Sequence, residues 1–177
     1  MRGPAPVTEP DPAALTTLWS RVTRAGGAVG FAKDDPIEEI AIAAGRVVEA
    51  VRTGRSEMLA MHGDTGLLGA AVITIGQRPV RRHNLVLDWL MIDPGTQGNG
   101  WGRTLLAAAE ARGAELGATT CFLATRTGHG VERFYTSCGW SAAGSWPRAV
   151  RLSEEDYRDE IWFVKDLQLS RPVRRNR

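Results

Sequence analysis

The sequence predicts a mixed α+β fold built on a central sheet, with one domain over residues 1–170. Three observations predict it. Two N-terminal segments carry helical periodicity, a pair of short apolar runs reads as a hairpin, and the remainder alternates strand, helix, strand, helix, strand. The 177 residues are 43% hydrophobic and 24% charged, which is the composition of a globular chain with one sizeable core.

A first helix is expected from about Pro12 to Arg24, ended by Gly26-Gly27. The second has the clearest start. Asp35 stands where a cap belongs, Pro36 fits the first turn and Glu38 occupies the capping-box position. Ile37, Ile40, Ala41, Ala44, Val47, Val48 and Val51 then recur at helical spacing up to Gly54. Glu57–His62 and Leu67–Ile75 form the hairpin across a turn of Gly63, Asp64, Thr65 and Gly66. Leu85–Ile92 is short and almost wholly apolar, as expected of a strand buried on both faces, and Asp93-Pro94-Gly95 breaks it. A helix from about Gly100 to Leu116 follows, with Leu105, Ala108, Ala109 and Leu116 in its stripe. Thr120–Ala124 reads as a strand, Val131–Cys138 as a short helix and Ile161–Lys165 as the last strand. The basic run 171–177 reads as a solvated tail.

A net charge of +2 is too small to argue for nucleic acid. No apolar run approaches the ~18 residues that span a bilayer. The first twelve residues have no apolar signal region. Cys121 and Cys138 lie outside metal-ligand or CxxC spacing and read as structural thiols, so a cytoplasmic chain without metal is expected.

The informative segment is the turn between the apolar strand and the helix, Gln97-Gly98-Asn99-Gly100-Trp101-Gly102-Arg103. Its glycines let backbone amides approach a ligand, and the helix beginning there adds unpaired N–H groups. Together they suit a diphosphate. A Walker loop would need Gly-Lys-Ser/Thr where Gly102-Arg103-Thr104 stands. A dinucleotide fingerprint needs one more residue between its last glycines, and Thr119 and Thr120 occupy the place of its acidic partner. A glycine-rich loop with no ligand is the remaining bland reading.

Leu90-Met91-Ile92-Asp93-Pro94 followed by Gln97-x-x-Gly100-x-Gly102 resembles the acyl-CoA signature of the GNAT superfamily of N-acetyltransferases. Phe134-Tyr135-Thr136-Ser137-Cys138-Gly139-Trp140 resembles that superfamily's second mark, with Trp140 in place of its usual aromatic. The likeness covers about Glu57 to Lys165. Scattered identities around Gly26–Phe31, Glu132–Tyr135 and Phe163–Leu167 are similar to the tabtoxin-resistance type of small-molecule acetyltransferase, which detoxifies an amine-bearing antimetabolite. The resemblance implies a mixed, mostly antiparallel sheet with helices on both faces, acetyl-CoA as cosubstrate and a small-molecule amine as acceptor, with antibiotic or toxin resistance as one role. A peptide acceptor, a non-catalytic acyl-CoA-binding module and a homodimer stay open.

Residue by residue, the resemblance implies that the amides of Gln97 to Arg103 hold the pyrophosphate. It implies that the backbone of Leu90, Met91 and Ile92 pairs with pantetheine, with the Ile92 N–H toward the thioester oxygen. Tyr135 would protonate the departing thiolate, which suits a phenol of pKa about 10. The superfamily's usual strand glutamate is replaced by Val86, and the tabtoxin-type aspartate by Ala124. Asp88, two residues from Val86 and so on the same face of its strand, is the substitute base. His129 and His83 are weaker candidates. Arg126 and Arg133 could meet the 3′-phosphate, and the segment 145–159 with Trp146 could wall the acceptor pocket.

Overall fold

The computed structural model describes residues 2–64, 66–128 and 130–168. His129 and the basic run 171–177 lie outside the described residues. The helices are α1 (Pro12–Arg24), α2 (Ile37–Arg52), α3 (Trp101–Glu115) and α4 (Val131–Ser137). The strands are β1 (Arg2–Val7), β2 (Glu57–Gly63), β3 (Gly66–Ile75), β4 (Asn84–Ile92), β5 (Thr120–Arg126), β6 (Ser141–Arg151) and β7 (Tyr157–Asp166). They form one sheet in the order β1-β2-β3-β4-β5-β7-β6. Only β4 and β5 run parallel, so the sheet is mixed and mostly antiparallel, as expected.

Each face has its own core. Leu59, Met61, Ile73, Leu85, Leu105, Leu106 and Phe163 pack on the α3–α4 side. Leu15, Trp19, Ile40, Met58, Val72 and Met91 pack on the α1–α2 side. A buried Leu or Ile side chain contributes about 2 kcal/mol, so the two layers hold the sheet from both sides. The layers are unequal in extent, however. Helices α1 and α2 rest on β2, β3 and β4, and the core beneath them takes no residue from β5, β6 or β7.

Several local expectations are corrected. Asp35 does not cap α2: Pro36 is the N-cap, and the Asp35 carboxylate accepts instead from the Ala32 amide at 2.7 Å. Asp11 caps α1, accepting from Ala13 N at 2.9 Å. Ile37 and Ala41 are exposed rather than part of the α2 stripe, and Leu116 is the half-exposed cap of α3. Strands β1 and β6 are edge strands with little burial on either face, so they lack the apolar alternation that marks a strand. Strand β7 begins at Tyr157, four residues earlier than the apolar run suggested, because its first turns pair with β6 beyond the core.

Candidate active site

The strand-to-helix turn folds as its glycines dictate. Gly98 and Gly100 have φ of +82° and +80°, the left-handed region where a side chain is strained, and space is open where a Cβ would stand. Asp93 closes the preceding 3-10 turn by accepting from Gly95 N at 2.9 Å. Its other oxygen lies 2.7 Å from Arg21 Nη1, an ion pair without the alignment of a hydrogen bond, and it fastens α1 to the end of β4. Gln97 Nε2 donates to the Ile92 carbonyl at 3.1 Å, and Asn99 Nδ2 to Thr96 O at 3.1 Å. These side chains shape the loop, and the Gln97 amide, expected to be free, turns back to Pro94 O at 3.4 Å, while the amides of residues 98–103 have no hydrogen-bond partner among the described residues. Arg103 turns away to Ser137 O and Oγ, both at 2.9 Å, joining the start of α3 to the end of α4.

Beside this turn the sheet opens. Strands β4 and β5 pair at Asn84, Leu85 and Val86 and then separate. Asp93 N donates to Leu68 O across the β3–β4 register, so Met91 also faces its β3 partner, Ala70. In an antiparallel ladder alternate residues turn their peptide groups outward. Leu90 and Ile92 therefore direct their N–H groups into the gap. Met91 is different from the sequence expectation: its backbone faces β3 and its side chain is fully buried under α1.

The gap widens into a cleft of about 430 Å³. Leu90, Ile92, Gln97, Gly98, Gly100, Trp101, Gly102 and Arg103 line it, as do Thr125 and Tyr135. Met91 and Asn99 are not among its walls. Val22 of α1 and the Gly27–Val29 segment form a further wall. That segment is held by two anchors. Trp19 Nε1 donates to Val29 O at 2.8 Å, and buried Arg126 donates to Gly26 O, Gly27 O and Phe31 O at 3.0, 2.7 and 3.1 Å. Arg126 is thus turned inward as a clamp on the α1–α2 connection, not outward toward a phosphate. Arg133 is exposed on α4, and His83 is exposed before β4 at the opposite end of that strand.

Tyr135 is buried among Phe134, Trp140 and Phe163, with ring centroids 5.1, 5.9 and 5.6 Å away. Its hydroxyl has no hydrogen-bond partner among the described residues. Burial pushes the phenol well above its ordinary value, with Cys138 and Cys121 adding to the shift, so it carries its proton at neutral pH. Trp140 is core: its Nε1 donates to Glu110 Oε1 at 2.8 Å, while Lys165 Nζ reaches Glu110 Oε2 at 2.6 Å and Cys138 O at 2.8 Å. Burial pushes the Cys121 thiol up to about 12, which leaves it inert as a nucleophile.

Asp88 lies outside the cleft lined by Tyr135. It occupies a β-bulge, where Val72 pairs with Trp89 and Ile73 with Leu87 and Asp88 is left over. Its carboxylate accepts from Thr74 Oγ1 at 2.6 Å, and Thr74 in turn lies 2.8 Å from Ser56 Oγ. Desolvation raises its pKa, and the Thr74 bond opposes that rise. This places it on the α1–α2 side of β4, with its carboxylate held toward β3. The bulge also resets the strand. Leu85 and Leu87 face α3, and after the extra residue so do Leu90 and Ile92.

No described group of three His, Cys, Asp or Glu side chains is placed to hold a metal ion, and no helix among the described residues is long and apolar enough to cross a membrane.

The comparisons agree with this geometry. A family model described as the acetyltransferase (GNAT) family matches residues 17–140. Among solved structures, an acetyltransferase of the GNAT family from Streptococcus pneumoniae is similar at a TM-score of 0.73 and 21% identity, over 92% of this chain and 98% of that one. Ribosomal-protein-alanine N-acetyltransferase from Brucella melitensis is similar at a TM-score of 0.73 and 17% identity, over 92% and 98%. The structure of yncA from Salmonella typhimurium, solved with its cofactor acetyl-CoA, is similar at 0.70 and 14%, over 94% and 95%. No curated protein matches by sequence. The family match spans the open sheet, the glycine turn and the Tyr135 helix, and the chain therefore belongs to the GNAT family of acetyltransferases.

Proposed function

We propose that this acetyltransferase transfers the acetyl group of acetyl-CoA to a primary amine of a small molecule, by direct attack in a ternary complex. The observation that carries the reading is the β4–β5 gap, which brings three things together. Free amides lie at its mouth, two outward N–H groups along one edge, and a protonated phenol in its wall. The turn fits a diphosphate, because its amides are unpartnered and its two left-handed glycines leave open space. Leu90 and Ile92 would pair with the pantetheine arm, and the Ile92 N–H would stabilise the oxyanion.

The chemistry balances with this chain's groups. The amine lone pair attacks the thioester carbon, the C–N bond forms and the C–S bond breaks. The ammonium first loses one proton through water to Asp88, Tyr135 gives its proton to the departing thiolate, and the second nitrogen proton, released as the amide forms, passes through water to the Tyr135 phenolate. Positioning supplies much of the acceleration, since the two reactants would meet at the gap from opposite faces of the sheet. An enclosing wall from residues 27–29 and the Arg126 clamp favours a compact acceptor over an extended peptide. A toxin or aminated antibiotic is within that class.

A thiol-release screen with acetyl-CoA against simple amines, amino acids, aminated antibiotics and short peptides tests the reading. Release with small amines and not with peptides is expected. Release with peptides alone would replace the acceptor class, and saturable coenzyme binding without any release would make the chain a binding module.

A further inference from the structure

On the α1–α2 side, the half of the sheet beyond α1 and α2 carries an ordered row of side chains. Val86 pairs with Phe122, Ala124 with Trp162, Gly144 with Trp162, and Trp146 with Glu160. Paired residues share a face. Asp88 stands two residues past Val86, level with Ala124 on β5, and its bond from Thr74 fixes it to the same side.

The row ends in an aromatic carboxylate site. The Trp162 ring spreads over Gly144, where a Cβ would come within 3.1 Å of Cε3, so a larger residue there would displace the indole. Trp162 Nε1 donates to Glu160 Oε1 at 2.8 Å, orienting the carboxylate. Directly across from Glu160, Trp146 is 61% exposed. No described cation forms an ion pair with Glu160, although Arg126 is its register partner on β5. Arg126 is taken by three carbonyls, and Arg158 grips Asp156 at 2.6 and 3.0 Å. The described cations that stack on a ring do so on Tyr157, not on Trp146 or Trp162. An oriented carboxylate beside two indoles suits a cationic nitrogen, which gains from both ring faces and charge.

We infer that the acceptor carries a second, cationic nitrogen held by Glu160 beside Trp162 and Trp146, several bonds from the amine that reacts near Asp88. The inference rests on the amine-acetyltransferase reading above. More than two strand spacings, that is more than about 10 Å, separate the Asp88 column from the Trp162 column, because β4 and β5 have parted at that level, and this suits two nitrogens joined by an alkyl chain of several carbons. A carboxylate at the far end of the acceptor would instead be repelled by Glu160.

Thiol release by the full chain, compared for 1,5-diaminopentane, pentylamine and 5-aminopentanoate, reads this directly. The diamine is expected to exceed pentylamine by about tenfold in kcat/KM, a charge-assisted contact's worth of discrimination, with 5-aminopentanoate poorest. Glu160→Gln keeps an acceptor for the Trp162 N–H and should lower the diamine's kcat/KM by about tenfold. Equal rates for diamine and pentylamine, a preference for 5-aminopentanoate, or a preference unchanged by Glu160→Gln would each overturn the inference while leaving the acetyltransferase reading standing. Absence of release with every amine would sink that reading instead. Calorimetric titration with pentyltrimethylammonium then decides the cation site alone: binding weakened in Glu160→Gln supports it, and no binding or equal binding overturns it.

Discussion

The two sides of the β4–β5 gap are built by different rules. On the donor side, α3 and α4 fasten to one another through Arg103 and Ser137 and to β7 through Glu110 and Lys165, and Tyr135 sits inside a cage of rings. On the acceptor side, the sheet past the 27–29 wall is open, with Trp146 and Val164 exposed and two anchors, Trp19 and Arg126, holding the connecting loop. A site that must recognise one invariant cosubstrate can be rigid. The face that meets the variable reactant carries its specificity on edge strands and a loop, where substitution disturbs little packing.

The contrast can be broken or sharpened in several ways. Lys165→Met strands the nearly buried Glu110 carboxylate and should cost about 3 kcal/mol of stability, read as a lower urea midpoint. Trp146→Ala, on the open side, should stay within ~0.5 kcal/mol. Comparable losses from the two would erase the distinction. Tyr135→Phe should slow turnover by about 10²-fold with little change in acetyl-CoA affinity, because the phenol acts late on the thiolate. Unaltered turnover would remove Tyr135 from the chemistry.

The smallest effects concern Asp88. A base must be ionised, so activity should fall as pH drops through its raised pKa, giving an acid limb above the ordinary carboxylate range. Thr74→Val removes the bond that favours the ionised form and should move that limb upward. The sign for stability is opposite to that of a salt-bridged carboxylate. With its folded pKa raised, Asp88 costs stability once pH exceeds its unfolded value of about 3.9. Asp88→Asn should therefore be neutral or slightly stabilising at pH 7 while abolishing the limb. A limb that persists in Asp88→Asn assigns the base elsewhere.

What was legible in the sequence follows the same division. The glycine turn, β4 and α3 could be read because their physics is local: positive φ needs glycine, and a short apolar run between chain breakers forms a strand, although β4 is not buried on both faces as expected but alternates up to an exposed Asp88. Tyr135 was readable through its motif, though not its ring cage, which draws Phe163 from another strand. Strands β1 and β6 escaped because they bury little on either face. Arg126 escaped because its partners lie about a hundred residues away, and nothing around it signals a clamp. Asp35 misled because one carboxylate can satisfy either a helix cap or a turn amide, and tertiary placement of the Ala32 turn decided it. The bulge at Asp88 was hidden because one extra residue in a strand apolar on both sides of it does not change the pattern, yet it decides which of Trp89, Leu90 and Met91 meet the gap.

The claim on which the rest depends is that the turn at 97–103 holds acetyl-CoA through backbone amides set by left-handed glycines. Calorimetric titration of acetyl-CoA into the wild-type chain and Gly100→Val tests it most directly, with circular dichroism to establish that both are folded. A branched side chain at a φ of +80° must rebuild the turn. The account predicts saturable one-to-one binding by the wild type, weakened at least about tenfold in the variant. No binding by the wild type, or equal binding by a folded Gly100→Val, would contradict it.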